Sequence, residues 1–385
     1  MQPIQTKLPK VGLTIFSTMS ALAVKHNAVN LGQGFPDFDC DSRLVDAVTR
    51  AMQSGHNQYP LMAGNPLLRE RVSAKVESLH QVRYDPLTEI TITSGATQGI
   101  LSAILAVVRQ GDEVIVLEPC YDSYIPNIEL AGGVAVPVHL KAGSFEPDFD
   151  AIAAAMTPKT RAIIVNTPHN PSGRVWSLAQ WQTLAELIAQ QDIWLISDEV
   201  YEHMTFDGAE HQSAARIPAL RERAFIVSSF GKTFHVTGWK IGTVCAPAAL
   251  SAEFRKVHQY TVFTANSAMQ QGIAEYLGDP APYLDLPSFY QAKRDRFSRG
   301  LLKTSLRMLP CEGSYFQSVN YENLSAVRDL SERECCEWMT TEMGVTPIPM
   351  SAFYSTPTEQ KVIRFCFAKR DETLDLALRK LAKLA

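Results

Sequence analysis

From about residue 40 to residue 270 the chain alternates short apolar, β-branched runs with longer stretches of helical period, and each apolar run stops at glycine or a polar residue. The runs at 89–93 and 113–117 read as strands, and those at 161–166, 193–197, 224–228 and 241–246 show little polar alternation, so neither face of the strand they predict meets water. Doubly buried strands separated by helices require a layered α/β fold around a mostly parallel sheet. In open sheets of this kind ligands gather beyond the carboxyl ends of the strands. The chemically notable residues of this chain fall just there.

With 385 residues the chain exceeds the usual size of a single core, so two domains are expected. The alternating region gives a large domain over 41–275. The carboxyl-terminal third changes to long amphipathic helical stretches near 288–309 and 331–343 and a last helix from Glu372. Together with the first forty residues it forms the expected small domain, 1–40 plus 276–385. A formal charge of -4 without a long basic block argues against a nucleic-acid groove or an anionic membrane surface, and leaves a small molecule as the partner. Pro3, Lys7, Pro9 and Lys10 interrupt the amino terminus before a signal-peptide core can develop, and apolar stretches such as 100–108 are about half of membrane-spanning length. A soluble, cytoplasmic protein is the expectation. The seven scattered cysteines, with Cys335 and Cys336 adjacent rather than in CxxC spacing, read as reduced thiols. The nine dispersed histidines form no HExxH, so no metal site is expected.

The segment 228–242, SSFGKTFHVTGWKIG, places Lys232 among small and hydroxyl residues, where an amine can reach a carbonyl and form a Schiff base. Ser229 and Lys240 could hold a phosphate beside it. At 94–97, SGAT follows a strand and opens a helix. There the N–H groups of Gly95 and Ala96 and the hydroxyl of Thr97 could cradle a phosphate, although glycine at such a turn also serves geometry alone. NTPHNPSG at 166–173 is a dense turn cluster that holds Asn170 between His169 and Pro171. SDEVYE at 197–202 puts Asp198 directly after a buried strand, where a carboxylate needs a partner such as a protonated ring nitrogen, and Tyr201 three residues on. An aspartate that caps the next helix is the plainer alternative.

Read together with GQGFPDF at 32–38, NQYPLMAG at 57–64, EPCYDSY at 118–124 and IRFCFAK at 363–369, these segments closely resemble the fold-type I pyridoxal phosphate enzymes, specifically the class I and II aminotransferases. The resemblance covers nearly the whole chain in order. It implies an aspartate-aminotransferase-like, three-layer large domain with a mixed, predominantly parallel sheet, plus a smaller α/β domain. The cofactor it implies is pyridoxal 5′-phosphate. Lys232 would carry the cofactor and, once released, act as the base that moves a proton. Asp198 would keep the pyridine nitrogen protonated, Tyr201 and Asn170 would bind the ring oxygen O3′, and Tyr121 would stack on the ring. Gly95, Ala96, Thr97, Ser229 and Lys240 would bind the phosphate, with Tyr59 reaching in from a second subunit of a homodimer. Arg364 would fork onto the substrate α-carboxylate, approached also by Gly34. Many relatives carry arginine where this chain has Lys240, so a point charge replaces a fork.

The motif details are most similar to the branch with bacterial methionine aminotransferases and the kynurenine and glutamine transaminases. Phe16, Phe35, Tyr59 and Tyr121 are candidates for an apolar side-chain pocket, which suits methionine, phenylalanine, tyrosine, kynurenine or glutamine as donor and a 2-oxo acid as acceptor. A cysteine-conjugate β-lyase on the same scaffold is the alternative. Ser229 and Lys232 also spell the SxxK of serine acyl-enzymes, but the companion SDN and KTG are missing. Gly32 and Gly34 do not continue into a dinucleotide-binding glycine pattern.

Overall fold

The computed structural model describes residues 4–384. Every run read as a doubly buried strand becomes one, within a single seven-stranded sheet. Its order is Ile90–Thr93, Gly242–Cys245, Ala224–Ser229, Trp194–Asp198, Thr160–Asn166, Glu113–Glu118, Val134–His139. Gly242–Cys245 runs antiparallel to both its neighbours and the remaining pairings are parallel, so the sheet is mixed and mostly parallel.

The seventh strand, Val134–His139, had no counterpart among the predicted runs. It is an edge strand, largely open to solvent, and contains Pro137, which lacks an N–H and is tolerated where one side of the ladder is unpaired. Along the central strands alternate side chains enter different cores. Ile163 and Val165 join the larger one, whereas Ala162 and Ile164 join the one beneath helices Gly95–Val107 and Ala248–Thr261. Burial of each large aliphatic side chain there stabilises the fold by about 1.5–3 kcal/mol. Helices Pro66–His80 and Leu178–Leu187 cover the opposite face.

The carboxyl-terminal third builds a second, antiparallel sheet in the order Ile348–Pro349, Val362–Cys366, Phe316–Asn320, Arg307–Met308. The amino-terminal segment joins it, because Val29–Asn30 pairs in parallel with Val345–Thr346 and helix Ile15–Lys25 packs on helix Glu332–Thr341. The helix expected to reach 309 ends earlier, as Leu286–Leu301. The Thr304 hydroxyl donates to the Leu301 carbonyl at 2.7 Å, giving the backbone a turn in place of another helical bond and freeing Arg307–Met308 for the sheet. Helix Glu332–Thr341 starts at a capping box in which Ser331 and Glu334 satisfy each other's backbone N–H groups. The last helix is Asp371–Leu381. Among the described residues no helix is long and apolar enough to cross a membrane.

Candidate active site

Three parallel strands end side by side at Asn166, Asp198 and Ser229, and a cavity of about 290 Å³ opens over them, roofed by Phe16, Gly34, Phe316 and Arg364 from the second sheet and the amino-terminal segment.

Asp198 closes the strand Trp194–Asp198 at 4% exposure. It caps no helix. Its Oδ2 accepts the Tyr124 hydroxyl at 2.6 Å and its Oδ1 accepts the Val200 N–H at 3.3 Å. Burial pushes its pKa up to about 6, a rise that the Tyr124 hydrogen bond, the Val200 N–H and the nearby Lys232 charge oppose. Such a carboxyl is poised to accept a cationic partner.

Lys232 follows the next strand, in the single turn Phe230–Thr233. Its Nζ donates to the Gly34 carbonyl at 3.0 Å and to the Tyr315 hydroxyl at 2.8 Å. Desolvation pushes its pKa down to about 8, so a useful fraction is neutral, and hence nucleophilic, near neutral pH. Its amine turns toward Gly34 and Tyr315, and no hydrogen bond joins it to Ser229 among the described residues, so the SxxK nucleophile–base pair is not formed.

Asn170 is fixed through its neighbour Asn166, whose Oδ1 accepts the Asn170 N–H at 2.8 Å while its Nδ2 donates to the Asp198 carbonyl at 2.8 Å. The Asn170 Oδ1 accepts Arg364 Nη1 at 2.7 Å, and Arg364 Nη2 donates to the Gly32 carbonyl at 2.9 Å. Arg364 is 1% exposed, stacked 3.9 Å from the Phe316 ring centre, and its Nε–H is buried without an acceptor. Desolvation lowers its pKa to about 10, which leaves it charged at neutral pH, yet no carboxylate pairs with it among the described residues. A buried guanidinium with no carboxylate in contact is costly, and Asp122 in the same cavity does not reach it, so the site is complementary to a carboxylate entering the cavity.

At the other end of the cavity the first turn of helix Gly95–Val107 presents Ala96 and Thr97, with Gly95 just behind them at the helix start, and Ser94 makes no side-chain cap that would occupy the N–H groups of that turn. Gly95 takes φ +76°, and a Cβ there would come 3.2 Å from Lys240 Nζ. Gly242 is required because a Cβ would lie 2.9 Å from the Ala96 nitrogen. Lys240 itself adopts φ 56°, a left-handed conformation that lysine takes at a cost and that is common where a site over-determines the backbone. Ser229 lines the same end. Helix N–H groups, a hydroxyl and an ammonium on one concave surface fit a phosphate.

Tyr201, Tyr121, Phe16 and Gly34 also line the cavity, and burial raises the Tyr201 pKa, keeping its hydroxyl protonated. Tyr59 does not reach it. Its side chain is 81% exposed and stands edge-on to Phe263, outside the cavity of its own chain. Several site residues were not singled out in the sequence. Tyr124 and Asn166 sit inside motifs that were, and their partners were the only missing information. Tyr315 and Phe316 lie in GSYF, where no turn or charge pattern marks them, and only the fold brings them to Lys232 and Arg364.

The family model for aminotransferase class I and II matches residues 26–381. The chain is 48% identical to the methionine aminotransferase of Escherichia coli K12, over 99% of this chain and 98% of that one. It is 35% identical to human kynurenine–oxoglutarate transaminase 1, covering 94% and 93% of the two chains. A crystal structure of an Escherichia coli protein described as having methionine aminotransferase function superimposes with a TM-score of 0.97 at 47% identity, over the full length of both chains. A lysine amine and an unpaired arginine facing one cavity, on a fold and sequence shared over their full length with these enzymes, show that the chain belongs to the class I and II aminotransferases.

Proposed function

We propose that this aminotransferase uses pyridoxal 5′-phosphate to move the amino group of a neutral, apolar or aromatic L-amino acid, methionine first, to a 2-oxo acid. The observation that carries the reading is the buried Arg364 guanidinium, with its Nε–H unsatisfied, in the same cavity as the Lys232 amine. When bound, pyridoxal phosphate supplies a carbonyl that an amine can join and a ring that takes up the electron pair left at a deprotonated Cα.

The chain's own residues divide the remaining work. Gly95, Ala96, Thr97, Ser229 and Lys240 would hold the phosphate. Asp198 would keep a proton on the ring nitrogen, Tyr201 and Asn170 would donate to the ring oxygen, and Tyr121 would pack on the ring. Arg364 and the backbone at Gly34 orient the α-carboxylate, which points the substrate Cα at Lys232. As a neutral amine Lys232 would take the Cα proton on Nζ and hold it there as an ammonium until it is handed back within the same cavity.

Aromatic walls at Phe16, Phe35 and Tyr121 favour thioether and aromatic side chains, including phenylalanine, tyrosine and kynurenine, with glutamine also accommodated. Asp122 shares the cavity with Arg364, so a second substrate carboxylate would meet like charge there. Tyr59 and its exposed neighbour Phe263 suit contact with a second copy of the chain, with Tyr59 completing the partner's phosphate and substrate site in a homodimer. The domains we assign are 41–275 and 1–40 plus 276–385.

The visible absorbance of the purified protein with added pyridoxal phosphate, followed on addition of single amino acids, tests the reading. A yellow protein bleached by methionine more efficiently than by aspartate is expected. A colourless protein that takes up no cofactor overturns the mechanism, and a yellow protein bleached only by aspartate overturns the substrate class.

A further inference from the structure

Tyr315 is fully buried at the start of the segment that leads into strand Phe316–Asn320, and its hydroxyl lies between two partners. One is the Gly34 carbonyl, 2.5 Å away, and the other is Lys232 Nζ, 2.8 Å away. A carbonyl oxygen only accepts, so the single Tyr315 proton goes to Gly34, and the hydroxyl oxygen must accept an N–H from Lys232. The Gly34 carbonyl accepts a second N–H of the same amine at 3.0 Å. Two of the tetrahedral positions on Nζ are therefore held and a third is bonded to Cε. The fourth, a lone pair on the neutral amine, is directed by the other three.

We propose that Tyr315 is a further catalytic residue, whose hydroxyl acts as the acceptor that holds and aims the Lys232 amine whenever that amine is free. The inference rests on Lys232 being the reactive amine of the proposed function. Burial pushes the Tyr315 pKa well above that of an ordinary phenol, so the hydroxyl keeps the proton that fixes its role as acceptor. Both acceptors belong to segments outside the seven-stranded sheet, whereas Lys232 hangs from that sheet, so the triangle sets the amine's direction from across the cavity. Misaiming a proton-transfer group by about an ångström is enough to slow turnover by up to roughly a hundred-fold.

Tyr315→Phe removes only the oxygen. In the full-length chain before cofactor is added, the pH dependence of Lys232 acetylation by acetic anhydride, read by peptide mass spectrometry, reports the free amine directly. Loss of an acceptor destabilises the ammonium, so the labelling midpoint is expected to fall by about half a pH unit or more relative to wild type. Tyr290→Phe is the control. It removes another buried hydroxyl from a ring 5.8 Å from that of Tyr315, one that has no hydrogen-bond partner, and it should keep the wild-type midpoint. With cofactor and methionine, Tyr315→Phe should lower kcat about ten-fold or more while KM stays within about two-fold. An unchanged midpoint, or an equal fall in Tyr290→Phe, overturns the assignment, and an unchanged kcat overturns the part in turnover. A wild-type protein that labels at Lys232 with the expected midpoint but transaminates nothing would instead refute the proposed function.

Discussion

Tyr124 donates its hydroxyl to Asp198 Oδ2 over 2.6 Å, and no other side chain donates to that carboxylate among the described residues. The hydrogen bond favours the ionised form and opposes a burial that drives the pKa up to about 6. Tyr124→Phe should therefore raise the Asp198 pKa further and move the acidic limb of the kcat/KM profile to higher pH. Activity at pH 6 is expected to drop roughly ten-fold, with little change near pH 8. A profile that overlays the wild type would remove Tyr124 from the site.

Asp198 also makes a prediction about stability. Its folded pKa of about 6 lies above the ordinary aspartate value of 3.8, so the contribution is most favourable below the unfolded pKa and is lost as pH rises through 6. At about 1.4 kcal/mol per pH unit the ionised carboxyl costs the fold roughly 3 kcal/mol above that pH. Asp198→Asn should raise the melting temperature of the chain before cofactor is added at pH 8 and give a smaller gain at pH 5, while reducing turnover. Equal gains at both pH values would show that the carboxyl is not the source.

Arg364→Lys keeps the charge and discards the planar fork that bonds Asn170 and Gly32 together. The KM for methionine should rise roughly ten- to a hundred-fold with the cofactor absorbance unaltered. An unchanged KM would place the substrate carboxylate elsewhere.

Lys240→Gly separates the two roles of that position. The left-handed backbone at φ 56° is relieved by roughly 1 kcal/mol, so the chain without cofactor should melt no lower than wild type. Removal of the ammonium should nevertheless weaken cofactor retention on dialysis about ten-fold. A variant that retains cofactor as firmly as wild type would exclude Lys240 from the phosphate site.

The central strands and the chemistry at their ends were legible in the sequence, because both are local. A doubly buried strand needs an uninterrupted apolar run, and a reactive residue immediately after one is carried to the sheet's edge whatever happens elsewhere, as with Asp198 after 193–197 and Ser229 and Lys232 after 224–228. The edge strand Val134–His139 escaped notice because an edge has less to bury and tolerates proline. Which groups meet across the cavity depends on long-range packing. Tyr315 touches Lys232 across a sequence separation of 83 residues, Gly34 touches Lys232 across 198, and Asn170 reaches Arg364 across 194. Those contacts arise because the amino-terminal segment folds back onto the carboxyl-terminal third at Val29–Val345, bringing Gly34 and Arg364 to one wall of the cavity. No local propensity encodes that closure. It follows from the packing of the second sheet over the first, which desolvates Lys232, Asp198 and Arg364 together and so sets the charges on which the site depends.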